Sequence, residues 1–297
     1  MTRQNSPIFV AVTGCGGGGH GRQIIKALRL AQTPYRIIGT DITRIASGLS
    51  EVDHAYLVPP ARREEYLPSI LELCRKHDVR VLIHGNETEL KVHSANRDML
   101  QNEGLFLPIN PRAVIDLCMD KVATARRLTK LGFHVPQFMR VRRLTDAEAF
   151  DFLPAVLKPS VGGGGSANLF LVQDREELLS TAQHLLKLYE EFILQEYVGT
   201  PEDEYTVGVL IDKDGQLLNS IAVKRYILSA LSRHTVVPNR TGRKELGSVL
   251  AISGGISQGE IGSFPEVCKP CEEIALALGA RGSINFQCRF VQGRVVV

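Results

Sequence analysis

Lys158 stands where a lysine is unusual, inside a short apolar run (Ala-Val-Leu-Lys, 155–158), and Pro159 stops that run. Four consecutive glycines follow at 162–165, then Ser166 and a second apolar run over 167–172. Two strands bracketing a glycine loop is the direct reading. A loop without β-carbons lets its amides approach a ligand closely. Amides clustered beside a lysine suit a polyanionic phosphate. A second glycine cluster, with Gly14, Gly16 and Gly19 spaced G-x-G-x-x-G, follows an apolar stretch and opens a helical pattern, with Asp41 some way downstream. Taken alone it is a dinucleotide fingerprint, with the acid placed for a ribose. The rival chemistry is therefore an NAD(P)-dependent oxidoreductase using residues 14–19. Cys268 and Cys271 form a C-x-x-C pair. As a redox motif it lacks a thioredoxin-like setting, and as a zinc half-site it lacks a second pair, so no chemistry is assigned to it.

These side chains need elements to hold them. Residues 8–13 read as a strand, followed by a helix carrying Ile24, Ile25, Leu28 and Leu30 on one side, and a second strand at 36–40. The alternation continues with a strand at 55–58, a helix at 64–77, a strand at 79–84, a polar loop at 85–89 and a helix to Gln101, and 105–108 closes the unit. It predicts a parallel sheet covered on both faces over residues 1–112. The register then changes. Helices are expected at 120–132, from Leu144, and at 174–191, with extended segments at 137–142, 155–158 and 167–172. Residues 192–198 and 204–211 read as strands, and the turn Asp-Lys-Asp-Gly returns the second into 217–223. Residues 224–262 are basic and glycine-rich with little periodicity, and are expected to form a long working loop. A helix at 264–278, a strand at 283–291, a tight turn and the start of a return strand at 295–297 complete the chain. The expected division is 1–112, 113–191 and 192–297.

Composition narrows the class. The 297 residues suffice for two or three domains, and a hydrophobic content of 44% describes an ordinary soluble protein. A net charge of +3 is too small to argue for nucleic acid. No apolar run nears the roughly 20 residues that cross a bilayer, and the N-terminus lacks a signal peptide's apolar core. Six cysteines fit reduced thiols better than a disulfide framework. The expected location is cytoplasmic, without membrane or nucleic-acid partners.

The order of parts resembles a known family. Asp120-Lys121 opens a helix ending L-G-F-H-V-P; V-L-K-P follows at 156–159 with glycines behind it; then come Q-E-Y-V at 195–198, E-Y-T-V at 204–207 and N-F-Q at 285–287. Together these resemble the ATP-grasp superfamily, closest to the group like the carbamoyl-phosphate synthase large subunit, across nearly the whole chain. The resemblance implies a Rossmann-like preATP-grasp domain over 1–112, α/β in class, which helps form the acceptor-substrate cleft and does not ordinarily bind NAD. It further implies an α+β ATP-grasp domain of two subdomains.

It also implies roles. Lys121 and Lys158 would contact the ATP phosphates, as mobile point charges on flexible stems. Gly164 and Gly165 would lie over those phosphates. Glu196 to Val198 would form the hinge that reads adenine, Val198 through its backbone, and Glu204 would accept hydrogen bonds from the ribose. Gln287 matches the first of three positions that hold Mg²⁺. The other two, a glutamate about a dozen residues later and an E-x-N-P-R pattern, are absent: only ten residues follow Gln287 and none is acidic. A chain ending mid-hairpin on three valines is expected to be cut within its active site. Arg225, with Lys224, Arg233 and His234, is expected to steady a transferred phosphoryl group or a substrate carboxylate. The implied activity is ATP-dependent ligation: a carboxylate becomes an acylphosphate, and an amine or similar nucleophile displaces phosphate. The partners are small molecules, and a homodimer is allowed. A nucleotide-binding protein without catalysis is the third alternative.

Overall fold

The computed structural model describes residues 6–16, 19–161 and 168–297. Its contacts divide the chain into two units, Met1–Arg112 and Ala113–Val297.

In the first unit β1 (Ile8–Val12), β2 (Tyr35–Asp41), β3 (His54–Leu57) and β4 (Val81–Ile83) form a parallel sheet in the order β3-β2-β1-β4. Helices α1 (Gly21–Leu30), α2 (Tyr66–Lys76), α3 (Glu87–Ala95) and α4 (Arg97–Asn102) connect the strands or follow the last of them. One helix was expected where α3 and α4 stand. The break is at Asn96, whose side-chain amide donates to the Val92 carbonyl and competes with the helical ladder. Strand order reverses between β1 and β4, and the loops leaving them interlock: Thr13 N–H donates to Ile83 O (3.0 Å) and His20 N–H to Gly85 O (2.7 Å). A Cβ on Gly85 would stand 2.1 Å from Thr13 O, so only glycine allows this approach.

α5 (Arg112–Met119) starts on the last residue of the first unit and leads into the second, where α6 (Lys121–Lys130) follows. The second unit's first sheet is antiparallel, of β5 (Phe138–Val141), β6 (Ala155–Pro159), β7 (Phe170–Val172) and β8 (Phe192–Glu196), ordered β5-β8-β6-β7. α7 (Leu144–Glu148) and α8 (Arg175–Leu185) cover one face, over a core that includes Phe150, Leu178 and Phe192. Next come β9 (Glu204–Ile211), β10 (Leu217–Arg225), β11 (Arg233–Pro238), β12 (Val249–Ser253), β13 (Gly259–Gly262), α9 (Pro265–Ala277), β14 (Gly282–Val291) and β15 (Arg294–Val296). Five of these strands make the second sheet, β13-β10-β9-β14-β15, and β11 pairs with β12 alone. α9 packs across the second sheet through Val207, Val209, Ala222, Ile274 and Phe286.

Two further expectations need correction. Phe192–Glu196 pairs with β5 and β6, so the first sheet runs through Glu196 and does not stop at 191. The stretch 224–262 is no continuous loop: β10 extends to Arg225, and β11, β12 and β13 follow. These strands are short and interleaved with glycine and arginine, and β11 is largely exposed, so no hydrophobic alternation marks them. The C-x-x-C pair lies in α9 as two buried thiols, Cys271 against Cys288 of β14, in the second-sheet core. Among the described residues no helix is long and apolar enough to cross a membrane.

Candidate functional site

β6 alternates strictly. Ala155, Leu157 and Pro159 are buried, Ala155 and Leu157 in the core beneath the first sheet, while Val156 and Lys158 take the other face. That face opens on a cavity of about 420 Å³, walled on one side by β6 and β8 and on the other by β9, β12 and β14. Lys121 reaches the same cavity from α6. Its placement is local. Asp120 caps the helix, its carboxylate accepting from Val122 N–H and Ala123 N–H (both 2.9 Å), and Lys121 N–H donates to Ser160 O just beyond β6 (3.0 Å). The start of α6 is thereby tied to the end of the Lys158 strand. Burial pushes Lys158 down to about 8; Lys121 adds repulsion, and Glu204 opposes both.

The segment after β8 bounds the cavity beside β9. Glu196 N–H donates to Gln137 O (2.8 Å) and Tyr197 N–H to Pro154 O (2.9 Å). The Tyr197 hydroxyl bridges to β12, donating to Ala251 O (3.2 Å) and accepting from Ala251 N–H (3.0 Å). Glu196 has Arg243 3.7 Å from its carboxylate. Val198 lines the cavity, and its carbonyl accepts from Arg289 at 2.7 Å.

Glu204 is buried at 5% exposure and already engaged. Its Oε1 accepts from Arg225 (3.1 Å) and Gln287 Nε2 (2.9 Å), and its Oε2 lies 3.4 Å from Arg289. A ribose would meet a carboxylate that already holds two guanidinium groups. Gln287 also donates to Ser253 Oγ (2.6 Å), so its carbonyl oxygen is the donor atom it offers a cation. Among the described residues no three His, Cys, Asp or Glu side chains gather to hold a metal ion. One neutral amide oxygen does not fit a magnesium site, which normally needs carboxylates as well as phosphate.

Arg225 departs from its expected role. It is 3% exposed, does not line the cavity, and spends its guanidinium on Glu204 and on the carbonyls of Gly254 (2.9 Å) and Ile256 (2.8 Å). Its place on β10, with the 254–256 turn folded over it, makes it an internal brace instead of a contact for substrate. Gly164 and Gly165 lie outside the described residues. Lys121, Lys158, Glu196, Val198, Glu204 and Gln287 are brought together on one cavity. The sequence reading missed Arg289 and Ser253, although Arg289 sits two residues beyond Gln287 and strand periodicity puts it on the same face.

At the rival glycine cluster, Asp41 Oδ2 accepts from Gly16 N–H (2.7 Å) and Oδ1 from Thr43 N–H (3.1 Å). The acid that the fingerprint would aim at a ribose is tied into its own loops. Beside it the buried Glu89 accepts from the Thr13 hydroxyl (2.7 Å) and Gly85 N–H (3.1 Å), and burial raises its carboxyl above the ordinary range.

Comparison with known families follows the same division of the chain into two units. Residues 118–284 match the ATP-grasp domain, and residues 10–107 match the PylC-like N-terminal domain. The chain belongs to the ATP-grasp family. D-alanine–D-alanine ligase of Bacillus anthracis is 27% identical over 129 residues, 41% of this chain and 40% of that enzyme. The chain thus matches well under half the length of its curated relatives. Among solved structures, the ADP complex of N5-carboxyaminoimidazole ribonucleotide synthetase superposes with a TM-score of 0.67 at 17% identity, covering 100% of this chain and 70% of that one. L-amino acid ligase from Bacillus licheniformis gives a TM-score of 0.65 at 17% identity, covering 98% and 65%. D-alanine–D-alanine ligase from Bacillus anthracis complexed with ATP gives 0.57 at 16%, covering 98% and 84%. These likenesses share the fold.

Proposed function

We propose that this chain binds ATP in the cavity between the two sheets of its second unit, as the nucleotide module of an ATP-dependent carboxylate–amine ligase. The observation that carries the reading is the convergence of Lys121 and Lys158 on one cavity. Two ammonium groups converging in a concave site make a cationic end that suits a polyphosphate. The phosphates meet Lys121 and Lys158, and the base meets the 196–198 segment. Positioning and charge neutralisation drive the transfer of the γ-phosphoryl group to a substrate carboxylate. An amine then displaces phosphate from the acylphosphate.

The names of the relatives suggest amino acids or similar small carboxylates as substrates, and a homodimer is compatible with the reading. The test is calorimetric titration of the full chain with ATP and, separately, NADH, with and without Mg²⁺. ATP binds, NADH does not, and Lys158→Ala abolishes ATP binding. Tight NADH binding sensitive to Asp41→Ala would instead establish the oxidoreductase reading. ATP binding without turnover across carboxylate and amine panels would leave a nucleotide-binding protein.

A further inference from the structure

Arg289 holds several parts of the cavity wall at once. From β14 its Nη1 donates to Val198 O (2.7 Å) and Gly199 O (3.3 Å), and its Nη2 to Ala251 O (3.0 Å), with Glu204 Oε2 at 3.4 Å. Its guanidinium lies 4.3 Å from the Tyr197 ring centroid, and the side chain is 11% exposed. One planar cation therefore ties together the segment leaving the first sheet, the start of β9, and β12. Tyr197 completes the tie through its two hydrogen bonds to Ala251. A lysine could supply the charge but not this fork of donors.

The strand register separates this tie from the phosphate end. β6 pairs antiparallel with β8, Lys158 opposite Ile193 and Ala155 opposite Glu196. Three residues of strand, roughly 10 Å, lie between the Lys158 position and the end of β8. Arg289 touches only the far end. We infer that Arg289 is the positioning residue of the base-binding edge: by fixing the carbonyls of Val198 and Gly199 it sets where the 197–199 segment presents itself, and so governs recognition of the base and not of the phosphates. The inference rests on the ATP reading of the cavity.

A probe with phosphates and no base separates the two ends. Calorimetry on the full chain compares ATP with inorganic tripolyphosphate. Arg289→Lys keeps the charge facing Glu204 and loses the fork. ATP affinity is expected to fall about tenfold or more while tripolyphosphate affinity changes by less than about twofold. Parallel loss of both ligands, or no loss of ATP, overturns the proposal. Should Arg289→Lys fail to fold by circular dichroism, Tyr197→Phe removes the hydroxyl bridge and leaves the ring under the guanidinium. The same split is expected of it, and parallel loss or no change again overturns the proposal. Failure of the unmutated chain to bind either ligand would instead sink the nucleotide reading. Loss of both ligands in Lys158→Ala with neither moved in Arg289→Lys would sink only the role of Arg289.

Discussion

Lys158 illustrates how a lysine proposed to bind phosphate taxes the fold that holds it. Its folded pKa of about 8 lies below the ordinary 10.5, so between those values the unfolded chain binds a proton that the folded chain does not. Stability therefore rises with pH across that window, and the full cost is present below about 8. Under the proposed ATP reading, nucleotide binding runs the other way, because the ammonium proposed to meet phosphate is lost above about 8. Melting curves from pH 7 to 10 are expected to show the ligand-free protein gaining stability relative to Lys158→Met, while the ATP-induced shift shrinks. At pH 7, Lys158→Met should melt a few degrees higher than the unmutated chain and show no ATP shift, about 2–4 °C corresponding to each kcal/mol relieved. A variant that melts lower at every pH would contradict this account. Sequence made Lys158 conspicuous because a charge interrupts an apolar run. Arg225 and Arg289 were harder to read: their shared partner Glu204 lies on another strand, 21 residues from one and 85 from the other, and only the register of β9 with β10 and β14 unites them.

At the scale of elements, the site depends on how α6 begins. Asp120 satisfies two amides that would otherwise be orphaned, and Lys121 is the first residue after the cap. Asp120→Ala should lower stability by about 0.5–2 kcal/mol. It should also weaken ATP binding severalfold without touching the ligand, because the start of α6 frays away from Ser160. Denaturant unfolding and calorimetry on the same variant check both, and unchanged binding would show that Lys121 finds its position without the cap. The strongly patterned segments were legible as elements. Those of the first unit, the β9–β10 hairpin and the α9–β14 succession all carry long apolar periodicity and clear turn residues. β11 and β12 were not, because their stabilisation is tertiary: Leu246 and Leu250 close with Tyr197 into a small core, and Val237 packs against it. Gln173 further fastens this region, donating to Pro238 O (3.0 Å) and accepting from Arg240 N–H (2.7 Å). Contacts at such sequence separation leave no local signature.

Across the whole molecule, every residue lining the cavity falls in the second unit, from Cys118 to Val297. ATP should accordingly raise the melting temperature of that unit and leave the first unit's own transition in place. Gly85→Ala tests the separation. Its new methyl would stand 2.1 Å from Thr13 O and 2.5 Å from Gly14 O, destabilising the first unit by roughly 1–3 kcal/mol with ATP affinity unchanged. Scanning calorimetry with and without nucleotide reads both transitions, and an equal loss of ATP affinity would refute the assignment of the cavity to the second unit alone. The chain contains seven tyrosines and no tryptophan. Tyr197 lines the cavity, faces a guanidinium and is hydrogen-bonded at its hydroxyl. No indole masks tyrosine emission, so a shift of the Tyr197 ring as a nucleobase arrives would change the summed tyrosine signal without any label, and Tyr197→Phe would isolate its share.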